Sequence, residues 1–194
     1  MVAVFPTTPI LDNFTRADAN PLDGGWSNGW KNYSPLQLQS GNAAQTPDGS
    51  AYAGGAWYNT DYGPDCEIYL TLDNIEFNNS SVLGLRQTGD IANPDGGYIL
   101  SCDSSRSIAL LDQTFTLPVG FGDGYSIGFS AIGNVLTAYY QPPSGTWQII
   151  GSPLTDINYP NAGKLAIALY GAGNNTNILT TITAFGGGTV TSSG

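Results

Sequence analysis

The 194-residue sequence contains no histidine, which excludes a Ser-His-Asp triad, a Cys-His pair and an imidazole ligand for zinc. Hydrolysis, if there were any, would rest on carboxylates. Charged residues make up only 10% of the chain, against roughly 25% in an average soluble protein. With two glutamates and two lysines, it lacks the residues from which exposed helix surfaces are built. Cysteine is as scarce: Cys66 and Cys102 are too few for a disulfide scaffold or a thiolate cluster. Both share their strand parity with apolar neighbours and are read as small core residues, although a bridge between them stays open. No apolar run is long enough for a membrane-spanning helix. The start, "MVAVFPTTP", has neither the basic nor the long apolar region of a signal peptide. Five cations spaced singly from Arg16 to Lys164 stand against fifteen acids. The net charge of −10 repels nucleic acid and anionic membranes.

What the sequence does have is glycine, 26 residues, and short runs of period-two alternation, the mark of half-buried strands. In "CEIYLTLDNIEF" the apolar set is Cys66, Ile68, Leu70 and Leu72, with Glu67, Tyr69 and Thr71 opposite. "VLGLRQTG", "YILSCD" and "IALLDQTF" follow, and the four runs read as an antiparallel meander. In "GYSIGFSAIGNVLTAYYQPPSGTWQIIG" the strands reverse at Gly133–Asn134 and again at "PPSG". Trp147 reads as a core residue of the third run. "KLAIALYG" points Leu165, Ile167 and Leu169 inward and Ala166 and Ala168 outward. About a dozen strands and no helix imply an all-β fold of two packed antiparallel sheets. Residues 1–194 are expected to form one domain with a short N-terminal arm (about 1–9) and a flexible Gly/Ser/Thr-rich C-terminal tail (about 186–194).

The opening "DNFTRADANPLDGGW", the "VLGLRQTG…GGYILSCD" middle, the "YSIGFSAIGNVLTAYY" block and the closing "GKLAIALYG…TITAFGGG" resemble the concanavalin A-like lectin/glucanase jelly roll in its laminin-G-like form. The opening phrase is similar to that of bacteriophage virion proteins and bacterial sugar-binding proteins. The resemblance implies a jelly-roll sandwich, and a family that holds lectins, glycosidases, adhesins and structural modules, so it fixes fold more firmly than function. It also places "ILDNF" beside "TTITAF", with Phe14 inward, Arg16 and Asp18 capping a turn, and Leu22 and Trp26 closing the open end of the core. A ligand platform at Trp26 and Trp30 is the alternative.

Laminarinase-type enzymes of this fold carry E-x-D-x-x-E along one strand. Here Asp65 and Glu67 are the nearest match, with Leu70 where a third acid would stand, so a glycosidase with its two spaced carboxylates is not expected. Calcium, which the fold often holds in loops, would find Asp90, Asn93 and Asp95 in one loop and Asn59, Asp61 and Asp65 in another. The same residues are ordinary turn formers. Glycan binding would use the aromatics of the first third, Trp26, Trp30, Tyr33, Trp57, Tyr58 and Tyr62, which equally suit strands and interfaces. Small residues on a second strand face (Ser126, Gly128, Ala166, Ala168) and the two terminal arms point to a protein partner. The overall expectation is a non-enzymatic protein exposed on a bacteriophage virion, a homo-oligomer that decorates capsid or tail and contacts host glycans. A soluble lectin-like module is the alternative and a carboxylate glycosidase the second.

Overall fold

The computed structural model describes residues 4–46, 52–75, 79–103, 105–118, 121–171 and 180–191. In chain order the strands are β1 (Ile10–Asp12), β2 (Trp26–Asn28), β3 (Leu36–Gln39), β4 (Asn42–Gln45), β5 (Tyr52–Tyr62), β6 (Cys66–Asp73), β7 (Asn79–Gly89) and β8 (Pro94–Asp103). Then follow β9 (Ser107–Leu110), β10 (Gln113–Thr116), β11 (Ser126–Ile132), β12 (Val135–Gln141), β13 (Gln148–Thr155), β14 (Gly163–Gly171) and β15 (Thr181–Thr189). A single 3-10 turn, Trp30–Asn32, separates β2 from β3. One sheet has the order β13-β12-β11-β6-β15-β4-β3 with β1 also beside β15; the other runs β10-β9-β8-β7-β14-β5-β2. Every named strand pair is antiparallel.

Alternation places the core as expected. Cys66, Ile68, Leu70 and Leu72 of β6, Ile127 and Phe129 of β11, and Ile182 and Phe185 of β15 face Leu83, Leu100, Leu165, Ile167 and Leu169 of the other sheet, all buried. The meander is β7 to β10 only. β6 belongs to the opposite sheet, between β11 and β15, because alternation fixes which side chains face the core but not which strand lies alongside. "IALLDQTF" is likewise a hairpin, β9–β10, rather than one strand. Cys66 and Cys102 are buried free thiols, on β6 and β8 in different sheets, and form no bridge.

The stretch Asp12 to Trp26 closes the sandwich. β1 pairs with β15, Ile10 opposite Gly186 and Asp12 opposite Phe185, while Trp26 on β2 pairs with Tyr58 of β5 in the other sheet. The Asp12 carboxylate joins the two: its Oδ2 accepts the indole N–H of Trp26 at 2.8 Å, and its Oδ1 accepts the Phe14 amide and an Arg16 N–H, each at 2.8 Å. Arg16 reaches on to Asp23 at 2.7 Å, and Asp18 accepts the Ser40 amide. Phe14, Leu22 and Trp26 are buried in the inter-sheet core. Trp26 is therefore a closing element of the core, as expected, and its ring lies against Phe185 and Tyr58.

Both outer faces are covered by the chain itself, which differs from the sequence expectation. On the eight-stranded sheet, Phe5 stacks on Tyr139 (centroids 3.9 Å, interplanar 5°) and meets Trp147 and Tyr69 edge-on. Gly128 is the floor beneath it: a Cβ there would lie 2.8 Å from Phe5 Cζ and 2.6 Å from the Ile68 carbonyl. Beside it Glu67 Oε1 accepts the amides of Thr7 and Thr8 at 2.6 and 2.7 Å and both hydroxyls. The described part of the arm thus packs on its own sheet; residues 1–3 lie outside the described residues. Trp147 precedes β13 and is half-buried on this outer face, not in the core, since its apolar partners are Phe5 and Tyr69. The tail differs too: Gly186 to Thr189 continue β15 against β6, and 192–194 lie outside the described residues.

Candidate functional site

On the seven-stranded sheet the outward positions of β14 are Lys164, Ala166 and Ala168. Ala166 stands opposite Trp57 of β5 and Gly84 of β7, and Lys164 stands opposite Asp61 and Gln87. Trp30, from the turn after β2, lies across this face with Trp57, Ala166 and Ala168, joined by Tyr33, Val82, Ile91 and Ile99. Gly84 makes room for the indole, since a Cβ there would lie 3.0 Å from Trp30 Cζ2. Of the small residues that suggested a protein partner, Ala166 and Ala168 are covered by these rings, and Gly128, on the other sheet, by Phe5. Trp30 is completely buried, and its Nε1–H finds no hydrogen-bond acceptor, an arrangement that costs about 1–3 kcal/mol.

Where the aromatic cover ends, a groove of about 340 Å³ opens, lined by Trp57, Asp61, Gln87, Thr88, Gly89, Ala162, Gly163 and Lys164. That volume falls in the lower part of the range of ligand pockets, about 300–1,000 Å³. Lys164 Nζ donates to Asp61 Oδ1 at 2.7 Å and sits 5.6 Å from the centre of the Trp57 ring. The pair is a directly opposed cross-strand ion pair. Gln87, also buried, fixes its amide by donating to the Leu85 and Tyr98 carbonyls. The groove therefore offers the exposed 7% of the Trp57 indole, a cation, a carboxylate and a hydroxyl.

The six aromatics singled out in the sequence do not make one site, because the sheet divides them. Trp30, Tyr33 and Trp57 are on the outer face. Trp26, Tyr58 and Tyr62 pack on the inter-sheet side, where burial raises the Tyr62 phenol above its ordinary value. Of the six, Trp57 alone lines the groove. Trp30 is completely buried, so the platform alternative fails for it; Trp26, 6% exposed, packs against Tyr58 and Phe185. Neighbours in sequence had alternated faces, and runs such as Trp57-Tyr58 necessarily split.

Arg86 was missed by sequence reasoning. Its fully buried guanidinium donates to four carbonyls, Pro64 (2.6 Å), Tyr159 (2.7 Å), Ala131 (3.1 Å) and Gly133 (2.9 Å). It ties the loops at the groove end of both sheets, and a backbone irregularity between Leu85 and Thr88 turns Gln87 and Thr88 toward the groove. The available signal was a lone arginine inside the apolar run "VLGLRQTG".

The calcium candidates are each engaged by protein groups. Asp90 Oδ1 accepts the Ala92 amide and Asn93 Oδ1 accepts from Asn32, while Asp95 packs against Gly89. In the second loop Asn59 accepts from Ser27, Asp61 pairs with Lys164 and Asp65 accepts the Gly133 amide. Among the described residues no group of three or more His, Cys, Asp or Glu could hold a metal. Glu67, the best acid for a glycosidase, is 2% exposed and occupied by Thr7 and Thr8, so it reaches no substrate.

With this geometry in place, the likeness to solved structures is informative. The exoplasmic/lumenal domain of VIP36 in its Ca2+-bound form superposes with a TM-score of 0.67 at 11% identity, over 95% of this chain and 91% of that one. The fold is the concanavalin A-like jelly-roll sandwich. Lectin II from Ulex europaeus (TM-score 0.56, 8% identity, 84% and 91% coverage) and the carbohydrate-binding module CBM66 from Bacillus subtilis (0.53, 12%, 86% and 93%) share it. At these identities the likeness establishes fold and not activity. No protein-family model and no curated protein matches the sequence.

Proposed function

We propose that this chain is a carbohydrate-binding module that holds a glycan without turning it over, and that the glycan sits in the Trp57 groove. The observation that carries the reading is the groove itself: an indole, a Lys–Asp pair and a threonine converge in one cleft of ligand size. Ring faces and paired polar groups are what a sugar's C–H surface and hydroxyls require. That VIP36 has been solved with Man3GlcNAc bound and that CBM66 is a carbohydrate-binding module supports it. The seclusion of Glu67 argues against turnover. For the setting we propose exposure on a phage particle, from the opening phrase "DNFTRADANPLDGGW"; labelling purified particles with an antibody to this protein tests that separately.

A glycan array followed by calorimetry is the test of binding. The expected result is saturable binding to at least one glycan, weakened about tenfold or more by Trp57→Ala, a loss of roughly 1.4 kcal/mol. Trp147→Ala, on the opposite sheet, should leave it unchanged. Trp30→Ala is a poor probe, because removing a fully buried indole costs about 3–5 kcal/mol of stability. Trp57, 7% exposed and packed with Trp30, carries part of that cost, so a melt of Trp57→Ala accompanies the titration to show that the variant is folded. Binding that ignores Trp57→Ala, or no binding to any glycan, would overturn the proposal.

A further inference from the structure

Resting on the carbohydrate-binding reading, we infer that the groove selects uncharged sugars over acidic ones, and that the Lys164–Asp61 pair is what sets this preference. Lys164 is the cation of the groove and Asp61 its carboxylate, 2.7 Å apart. The other lining residues, Trp57, Gln87, Thr88, Gly89, Ala162 and Gly163, are neutral. The two charges cancel within the cleft.

Each class of ligand meets that pair differently. A carboxylate or sulfate drawn to Lys164 must lie beside the Asp61 oxygens, and like charges at such a distance repel. Asp95, packed against Gly89 at the rim, and the net charge of −10 add to the repulsion. A purely apolar ligand would strip water from both ions without replacing it. A sugar hydroxyl is donor and acceptor at once. Lysine has three N–H donors and aspartate two acceptor oxygens, and the ion pair uses one of each. Adjacent hydroxyls can therefore accept from Nζ and donate to the carboxylate while the pair stays intact. Specificity then comes as much from what the pair repels as from what it attracts.

The test pairs the neutral methyl glycoside that binds best in the array with its uronate counterpart, titrated by calorimetry at low salt. The wild-type protein should prefer the neutral sugar by about tenfold or more. Asp61→Asn makes the groove cationic and should shift the neutral-to-uronate ratio toward the uronate by about tenfold; Lys164→Met should shift it the other way. A wild-type ratio near one, a preference for the uronate, or a ratio that Asp61→Asn leaves unchanged overturns the inference while carbohydrate binding stands. Failure of every glycoside to bind overturns both.

Discussion

Replacing Phe5 by alanine tests whether the N-terminal arm is part of this chain's own fold. Phe5 is 6% exposed, and burying a phenylalanine side chain contributes about 1.5–3 kcal/mol. Its stacked contact with Tyr139 and edge-on contacts with Trp147 and Tyr69 add about 0.5–1.5 kcal/mol each beyond area. The full cavity penalty of a core site does not apply, because the slot lies on an outer face that water can enter. The net expectation is at least about 3 kcal/mol, the lower end of these contributions, which for a chain of this length lowers Tm by about 6–12 °C or more. Removing residues 1–8 should cost at least as much, since Glu67 then loses its Thr7 and Thr8 donors. Calorimetric melts give the shift, and the emission of newly exposed Trp147 reports where it arises. Val4→Ala, at an 82% exposed position, is the control. A Phe5→Ala shift under about 1 °C would refute the reasoning, and so would light scattering that shows an oligomer dissociating on trimming.

Other consequences are equally open to measurement. Burial pushes the Cys66 thiol up to about 11 and the Cys102 thiol up to about 12; a thiol reagent at pH 8 should label neither in the native protein and both after unfolding. Burial also raises the Tyr69 phenol to about 12. Groups whose folded values are raised contribute stability below their ordinary values, about 9 and 10, and lose it as pH climbs through 11 to 12. These groups therefore leave Tm unaffected between neutral pH and about 9 and should lower it above that, and a Tm that rises there would contradict the burial. Glu67→Gln should lower stability by about 1–3 kcal/mol through weakened charge-assisted hydrogen bonds and leave glycan binding unaltered; loss of a hydrolytic activity instead would revive the glycosidase. Asp12→Ala removes the acceptor shared by Trp26, Phe14 and Arg16 and should cost about 2–4 kcal/mol by chemical denaturation.

The sandwich was legible because its inward strands alternate plainly: Cys66 to Leu72, Ile127 to Ala131 and Leu165 to Leu169 all lie where period two puts them. The closure by Phe14, Leu22 and Trp26 was legible from the opening phrase, whereas the Asp12 carboxylate that joins the two sheets there was not. Strand neighbours were less so, as β6 shows, because the choice between sheets is made by partners distant in sequence. The outer faces were hidden for another reason. Glu67 and Tyr69 look like solvent-facing residues until Phe5, Thr7 and Thr8, some sixty positions earlier, are seen to cover them. The candidate groove draws on β5, β7 and β14, so only Trp57 and Asp61 had been singled out, Asp61 for calcium, and Lys164 and Asp61 become a pair through cross-strand register alone.

The central claim, that a glycan occupies the Trp57 groove, is tested most directly by following backbone and indole N–H resonances while the best array glycan is titrated in. The account predicts shifts concentrated at the Trp57 indole and at the Thr88, Gly89 and Gly163 amides, with the Gly128 amide and the Trp147 indole unmoved. Shifts confined to the opposite sheet, or none at saturating glycan, would contradict it.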